Sequence, residues 1–282
     1  MHVLRAPLMQ SSMLTAQHGP LRLATSMCAA SQDAFTFAAA PGLLVWRNFA
    51  EDPVSLFPRA WKLADAVSEL AGASPQSSVS PQHNLRNQRE EYVSVVLPDA
   101  GRSLNCEHFK SYGEGHELTY FRGNRNLPSL VLPVVEWLEA LPAVQREVFE
   151  GRSQRGRRTD RPLEWRLTLN RYQVRDIEAP RAGFPWHRDI EANGASTMIV
   201  GLGTAGRIQF AENTEGELDG MKYDAGEEPE PCVDVTLAPG DLLVLTGKAR
   251  WGMIHRVVGE DEAAAAGDAE GRARMEIVLG CW

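Results

Sequence analysis

Hydrophobic positions recur at helical spacing in two segments of the N-terminal half. Between Asp52 and Gly72 the apolar residues fall three and four apart, which predicts an amphipathic helix. A run of the same kind over 128–148 predicts a second helix, which Pro142 would kink. The apolar segments 35–46 and 91–97 favour strands. Between them, 73–89 is rich in Ser, Pro, Gln and Asn, which is typical of a loop or lid.

The pattern changes after Pro162. Residues 166–174 alternate side chains with the period of two that is typical of a strand. Further strand candidates, separated by Gly, Pro and acidic turns, are 197–202, 207–211, 233–237, 242–245, 252–258 and 274–281. Many short strands without intervening helices indicate an antiparallel sandwich or barrel. We therefore predict an α+β domain over 35–282, in which a helical and lid region (35–161) buttresses a β-barrel (162–282), preceded by a flexible or transit-like tail (1–34).

Composition and charge narrow the class of protein. The chain has 282 residues, of which 43% are hydrophobic and 23% charged, as in ordinary soluble enzymes. No apolar run approaches the roughly 20 residues of a membrane-spanning helix, so we expect no membrane contact, and we expect a monomer. The net charge of −8 gives no general attraction to nucleic acid. However, the loop 151–161 carries five arginines that could contact phosphates of DNA or RNA, a solvated connection being the alternative.

Cysteine usage and the N-terminus bear on localisation. The four cysteines lie far apart and form no CxxC pair, which argues against a zinc ribbon or a disulfide framework and favours a reducing interior. We expect the nucleus or cytoplasm. Residues 1–32 contain no Asp or Glu and are rich in Ser, Thr, Ala and Met, as transit peptides are, so an organelle stays open.

Two histidines and an aspartate form a candidate metal site. His187 and Asp189 are two residues apart, and in a strand such residues point to the same face. His255 follows late in the predicted barrel and supplies a third ligand. Two imidazoles and one carboxylate leave coordination positions open on iron(II) for a 2-oxo acid and O₂. Zinc with the same ligands is the chemical competitor, and two purely structural histidines are the other alternative.

A 2-oxo acid also needs a cation for its distal carboxylate. Arg274 begins the last predicted strand and shares a face with Glu276. A planar guanidinium suits bidentate carboxylate binding better than an ammonium does. On strand 166–174, Asn170 and Tyr172 share one face and are candidate hydrogen-bond donors, although a buried tyrosine is also common in cores.

The order of these pieces resembles the AlkB-like 2-oxoglutarate/iron(II) dioxygenases, from about residue 165 to the C-terminus. The matching pieces are Asn170 with Tyr172, the segment 183–189 ending in His187-Arg188-Asp189, 199–203 with 208–210, 239–250 running on to His255, and Arg274. The resemblance implies a double-stranded β-helix (jelly-roll) barrel. It also implies Fe(II) on His187, Asp189 and His255, 2-oxoglutarate held by Asn170, Tyr172, Ile199 and Arg274, and O₂ as co-reactant.

This chain departs from the family at several points. Gly280 stands where the family has a second cosubstrate arginine, and Glu276 stands where a neutral polar residue is usual. We expect these changes to weaken cosubstrate binding or to shift the cosubstrate, unless Arg207 or Arg272 compensates. Residues 175–181 lengthen the loop before the metal site, and the N-terminal half does not match the family's nucleotide-recognition lid.

The resemblance implies oxidative demethylation or hydroxylation, with N-methylated nucleobases of DNA or RNA as the first substrate class. Trp186, Arg250 and the segment 73–125 are then the candidate substrate contacts, because an indole beside the metal suits base stacking. A packing role is the alternative for Trp186. The net charge and the unmatched lid favour a protein or small-molecule substrate instead. Gly280 favours a third alternative, a catalytically silent barrel used for binding.

Overall fold

The computed structural model describes residues 34–50, 52–73, 78–79, 91–110, 116–172, 183–213, 229–259 and 273–282. Its strands are β1 (Phe35–Thr36), β2 (Leu43–Trp46), β3 (Ser78–Val79), β4 (Glu91–Asp99), β5 (Arg102–Lys110), β6 (His116–Arg122), β7 (Trp165–Tyr172), β8 (Phe184–His187), β9 (Ser196–Gly203), β10 (Gly206–Glu212), β11 (Val233–Leu237), β12 (Leu242–Leu245), β13 (Met253–Val258) and β14 (Arg274–Cys281). The helices are α1 (Pro53–Ala73), α2 (Leu132–Ala140), α3 (Pro142–Gln154) and α4 (Gly247–Trp251). Within those ranges, no helix is both long and apolar enough to cross a membrane.

The strands form two antiparallel sheets. The large sheet has ten strands in the order β1-β2-β12-β9-β14-β7-β6-β5-β4-β3, and the small sheet has the order β11-β10-β13-β8. At the centre of the large sheet, β14 pairs with β7 on one side and with β9 on the other. The last strand of the chain is therefore held between two neighbours, which fixes where its side chains point.

Each face of the large sheet buries a separate apolar layer. One face packs against α1, α2 and α3 through residues such as Val67, Leu138 and Ile277. The opposite face shares a second layer with the small sheet, which includes Ile199, Phe210 and Leu243. The two sheets thus face each other as predicted for a jelly roll. Among the described residues, however, no hydrogen-bonded strand pair joins them, so they do not close into the predicted barrel.

The N-terminal half is less helical than predicted. Strands β4, β5 and β6 occupy 91–122 and extend the large sheet beyond β7. The sequence contains a weak alternation at β5, because Leu104, Cys106 and His108 stand at every second position, and all three are buried in the structure. The alternation is weak as a hydrophobic pattern because Cys106 and His108 are less apolar than the usual residues of a strand core. In β6 most positions are buried, including Glu117, which removes the alternation altogether.

Proline divides the second predicted helix. Leu141 is extended (φ −79°, ψ 116°), α2 ends before it and α3 begins at Pro142. Proline disfavours helical backbone in the residue before it and is well suited to a helix start, which explains a break rather than a kink. Helix α3 then runs into the segment predicted as a loop, since it ends at Gln154.

Other predictions fall outside the described residues. These are the tail up to residue 33, most of the predicted loop 73–89, the insertion 175–181 and Arg272.

Candidate active site

Strands β8 and β13 bring the predicted metal ligands together. His187 and His255 are register partners, and their ring centroids lie 4.2 Å apart. Asp189 follows two residues after His187, just beyond the end of β8. One ligand atom from each of the three residues lies within 4.8 Å of the others. We refer to these three residues as the metal end of the pocket.

The surrounding hydrogen bonds prepare these ligands for a cation. His187 Nδ1 lies 2.8 Å from the Pro185 carbonyl oxygen; because a carbonyl only accepts, Nδ1 donates and Nε2 is left for a metal. Asn193 Nδ2 donates to Asp189 Oδ1 over 3.3 Å. Asp189 Oδ2 is buried and has no hydrogen bond of regular geometry among the described residues, although the Thr197 hydroxyl lies near enough to lower the pKa of Asp189. A buried carboxylate oxygen without a regular hydrogen bond is costly, so the residues present fit a bound metal ion.

The charge states also suit a divalent cation. Burial lowers the pKa of His187 from 6.5 to about 3, and His255 adds to that lowering. Burial lowers the pKa of His255 as well. Burial alone would raise the pKa of Asp189, but His255, Arg250 and His187 outweigh it and bring the pKa below 3.8. At neutral pH the cluster is two neutral imidazoles and one carboxylate, so a metal binds without first displacing protons from them.

Arg250, predicted to contact substrate, is buried next to the metal end and bonds to the backbone there. Its side chain is 1% exposed and donates to the backbone oxygens of Asp189 (2.9 Å) and Ile190 (2.8 Å). These two bonds hold the chain directly after the ligand, which is a supporting role. A contact between Arg250 and a substrate stays a prediction.

Trp186 lies on the opposite side of the small sheet from His187. Its indole packs with Ala211 and Ile254, and the Arg256 guanidinium carbon is 4.9 Å from the ring centroid. Adjacent residues on a strand point to opposite faces, so this placement follows from the strand itself. The indole therefore does not lie beside the metal cluster, and the predicted stacking on a substrate there lacks support.

The other predicted cosubstrate residues meet at a second point between the sheets. On β14 and β7, Arg274 is opposite Tyr172 and Glu276 is opposite Asn170. Arg274 forms a buried ion pair with Glu276, and Tyr172 Oη donates to Glu276 Oε2 over 3.1 Å. Burial, with the Glu276 charge, raises the pKa of Tyr172 well above 10, so the phenol stays protonated as a donor. Arg274, Glu276 and Tyr172 are the arginine end of the pocket.

A row of aromatic rings connects the two ends. Tyr172 stacks on His116 (4.8 Å between centroids), His116 contacts Phe184 (5.0 Å), and Phe184 contacts His187 (4.2 Å). The metal end and the arginine end are therefore connected by side chains packed between the sheets, and we call the region from one end to the other the pocket. Ile199, also predicted here, lies in the apolar layer and is 4% exposed, so it offers only hydrophobic contact.

The arginine end fits a 2-oxo acid in part. Asn170 Oδ1 is buried without a partner in the described ranges. This oxygen only accepts, so a 2-oxo acid would have to be bound by the Asn170 amide nitrogen instead. A Cβ on Gly206 would lie 1.7 Å from Arg274 Cζ, so glycine leaves the space that the guanidinium fills. However, Arg274 and Tyr172 already hold the Glu276 carboxylate. The strand period predicts Glu276 on this face, but it does not predict the ion pair with Arg274.

Packing explains why Gly280 cannot be an arginine. A Cβ at this position would lie 1.8 Å from the backbone oxygen of Asn193. The turn that carries Asn193 rests directly on β14, and from there the Asn193 amide reaches Asp189. Glycine at position 280 thus leaves room for the turn that supports the metal end. Arg207 does not compensate, because it pairs with Asp234 on the outer face of the small sheet.

Most of the basic loop is engaged within the protein. Arg152 is 3% exposed and donates to the backbone oxygens of Arg161, Pro162 and Trp282. The guanidinium carbons of Arg155 and Arg157 lie 3.9 and 3.8 Å from the ring centroids of Trp251 and Trp282, respectively. Both arginines also face Glu191. Arg152 is therefore structural, and the other two are held against aromatic rings.

Comparison with known proteins gives distant structural likeness. No family model matches the chain, and no curated protein matches its sequence. OsALKBH1 is similar with a TM-score of 0.40 and 13% identity, over 85% of this chain and 98% of that protein. YcfD of Escherichia coli is similar with a TM-score of 0.41 and 16% identity, over 86% of this chain and 50% of YcfD. A structure of YcfD described as a ribosomal oxygenase in complex with cobalt and 2-oxoglutarate has a TM-score of 0.38 and 16% identity, over 84% of this chain and 47% of YcfD. This chain spans about half of the length of YcfD.

Proposed function

We propose that the chain is an Fe(II)- and 2-oxoglutarate-dependent oxygenase. The observation that carries the proposal is the meeting of His187, Asp189 and His255, with ligand atoms within 4.8 Å of one another and an unsatisfied oxygen on Asp189. Two imidazoles and a carboxylate on one side of an octahedral ion leave the other side open, as this chemistry requires. A hydrolytic zinc site would use the same ligands, but it gives no role to the buried Arg274, whose Nε donor has no hydrogen-bond partner among the described residues.

Each residue has a defined task in this proposal. Bound iron with 2-oxoglutarate and O₂ would supply the oxidation, in which the cosubstrate becomes succinate and CO₂ and a substrate C–H bond is hydroxylated. His187, Asp189 and His255 hold the metal, and Arg250 and Asn193 keep Asp189 in place. Asn170, Tyr172 and Arg274 orient the cosubstrate. Ile199 and the apolar layer around it exclude water.

For the substrate, we propose oxidative demethylation of N-methylated nucleobases, as the family resemblance implies. Hydroxylation of an N-methyl carbon gives a product that decomposes to formaldehyde and the free amine. The basic loop adds less support than its sequence indicates, since Arg152 is buried and Arg155 and Arg157 lie against tryptophans. A protein or small-molecule substrate is the second candidate.

Two measurements test the proposal. Iron-loaded protein with ascorbate should convert 2-oxoglutarate to succinate, and the Asp189→Ala variant should not. A panel of methylated DNA, RNA and peptides, followed by formaldehyde release, then identifies the substrate class. Equal succinate production by the Asp189→Ala variant would refute the metal site. If neither protein produces succinate, the silent-barrel alternative is favoured.

A further inference from the structure

The carboxylate of Glu276 lies where a cosubstrate carboxylate would be expected. Glu276 is 1% exposed and Arg274 is 5% exposed, so their ion pair is shielded from water. One carboxylate oxygen of Glu276 accepts from Arg274, and the other accepts from Tyr172. The two strongest donors at the arginine end therefore already hold a carboxylate that belongs to the chain.

The geometry shows a pair that a ligand can displace. Arg274 uses its Nη2 for Glu276, whereas Arg274 Nε is buried without a hydrogen-bond partner among the described residues. A guanidinium that binds a carboxylate through two parallel bonds does so more strongly than through one. An incoming distal carboxylate can make that two-bond contact, but only after Glu276 moves away, because two carboxylates at one guanidinium repel each other.

We infer that Glu276 is an internal competitor for Arg274, which weakens binding of 2-oxoglutarate and reduces its advantage over 2-oxo acids without a distal carboxylate. The inference rests on the proposed function. Apparent affinity falls in proportion to the fraction of molecules whose site is available. A site held by Glu276 in most molecules therefore requires more 2-oxoglutarate for half-saturation, and the reaction rate follows the 2-oxoglutarate concentration over a wider range.

The test is a calorimetric titration of the Mn²⁺-loaded full chain, because Mn²⁺ accepts the same nitrogen and oxygen ligands without turnover. Glu276→Gln keeps the shape of the side chain and removes its charge. We expect it to bind 2-oxoglutarate at least about tenfold more tightly than the parent protein. Binding of 2-oxopentanoate, which has the same five-carbon chain without the distal carboxylate, should stay unchanged. The ratio of the two affinities separates competition from general loosening of the pocket.

Two further variants complete the design. Glu212→Gln removes an exposed glutamate that pairs with Lys248 at the surface, and it should change neither affinity. Glu276→Asp keeps the charge but withdraws it by one methylene, so it should give a smaller gain for 2-oxoglutarate. A thermal melt checks that each variant is folded. If Glu276→Gln does not fold, the affinity of Glu276→Asp for 2-oxoglutarate tests the inference instead.

The outcomes separate the inference from the proposed function. Failure of the parent protein to bind Mn²⁺ would refute the proposed function. Mn²⁺ binding with equal 2-oxoglutarate affinity in parent and Glu276→Gln would refute the inference alone, as would an equal gain for both acids. Mn²⁺ binding without 2-oxoglutarate binding in either protein would refute both.

Discussion

The two ends of the pocket use buried acids in opposite ways. At the metal end, Asp189 has one oxygen held by Asn193 and another without a partner in the described part of the chain. At the arginine end, both oxygens of Glu276 are satisfied by Arg274 and Tyr172. An acid with an unsatisfied oxygen is prepared for a cation, whereas a satisfied acid contributes to the fold. Changes at the first end should therefore cost function, and changes at the second should cost stability as well.

Removing the metal ligand Asp189 should give the largest functional effect. Asp189→Ala is expected to reduce 2-oxoglutarate turnover to background, because a metal held by two imidazoles alone has lost its only charged ligand. The free energy of unfolding should change by less than about 1 kcal/mol, measured by urea titration, because an open site contributes little to folding. Asp234→Asn is the control, since Asp234 lies on the outer face of the small sheet. A loss of several kcal/mol of unfolding free energy in Asp189→Ala would contradict the proposed difference between the metal end and the arginine end.

Removing Arg274 should cost stability as well as cosubstrate binding. Arg274→Ala leaves the Glu276 carboxylate buried without its cation, and breaking one partner of a buried pair costs about 3–5 kcal/mol of unfolding free energy. The KM for 2-oxoglutarate should rise about 100-fold, which corresponds to roughly 3 kcal/mol. Arg274→Lys should recover only part of both losses.

The double variant with Glu276→Gln isolates the stranded charge. It should regain most of the stability but not the cosubstrate binding. If Arg274→Ala is as stable as the parent protein, Glu276 is not held as the structure shows it.

A change at Gly280 tests whether packing on β14 supports the metal end. Gly280→Ala places a methyl group against the Asn193 backbone, and overpacking of this kind costs about 1–3 kcal/mol. The displaced Asn193 would lose its bond to Asp189, so metal affinity should fall about tenfold, as for other residues that support a ligand. Gly183→Ala offers a comparison, because it also meets backbone atoms, but near Val257 and Gly259. If Gly280→Ala lowers the free energy of unfolding but leaves metal affinity unchanged, Gly280 has a packing role and does not support the metal ligands.

The basic loop lies outside both ends and should give the smallest effect. Arg155→Ala with Arg157→Ala removes two cation–π contacts, each worth about 0.5–1 kcal/mol at exposed sites. Because both side chains are held against tryptophans, we expect the salt dependence of oligonucleotide binding to stay unchanged. A slope of log affinity against log salt that falls by about two units would instead show that both arginines contact phosphates.

Much of the fold could be predicted because its residues follow simple periods. Alternation or a short apolar run marks most of the C-terminal strands, and the segment after Asp52 has helical spacing, so β7, β9 to β14 and α1 lie close to their predicted positions. Strand β8 was not among the predicted strands. Strands β5 and β6 were missed because buried polar residues, among them His108 and Glu117, interrupt the pattern. Those side chains are buried because of contacts with other strands, which local periodicity cannot show.

By itself, the sequence determined that Arg274 and Glu276 share a face, because the strand period requires it. It also put Asp189 only two residues after His187, but β8 ends at His187, so the strand period does not place the Asp189 side chain. The same period also turns Trp186 away from His187, a consequence that the sequence contained and our interpretation missed. Only the tertiary structure decided that His255 meets His187, that Asn193 rests on Gly280, and that Glu276 holds Arg274. These contacts join residues on different strands or turns, or depend on which rotamers the packed pocket allows. Local sequence specifies neither the contacts between separate strands and turns nor the rotamers in the packed pocket.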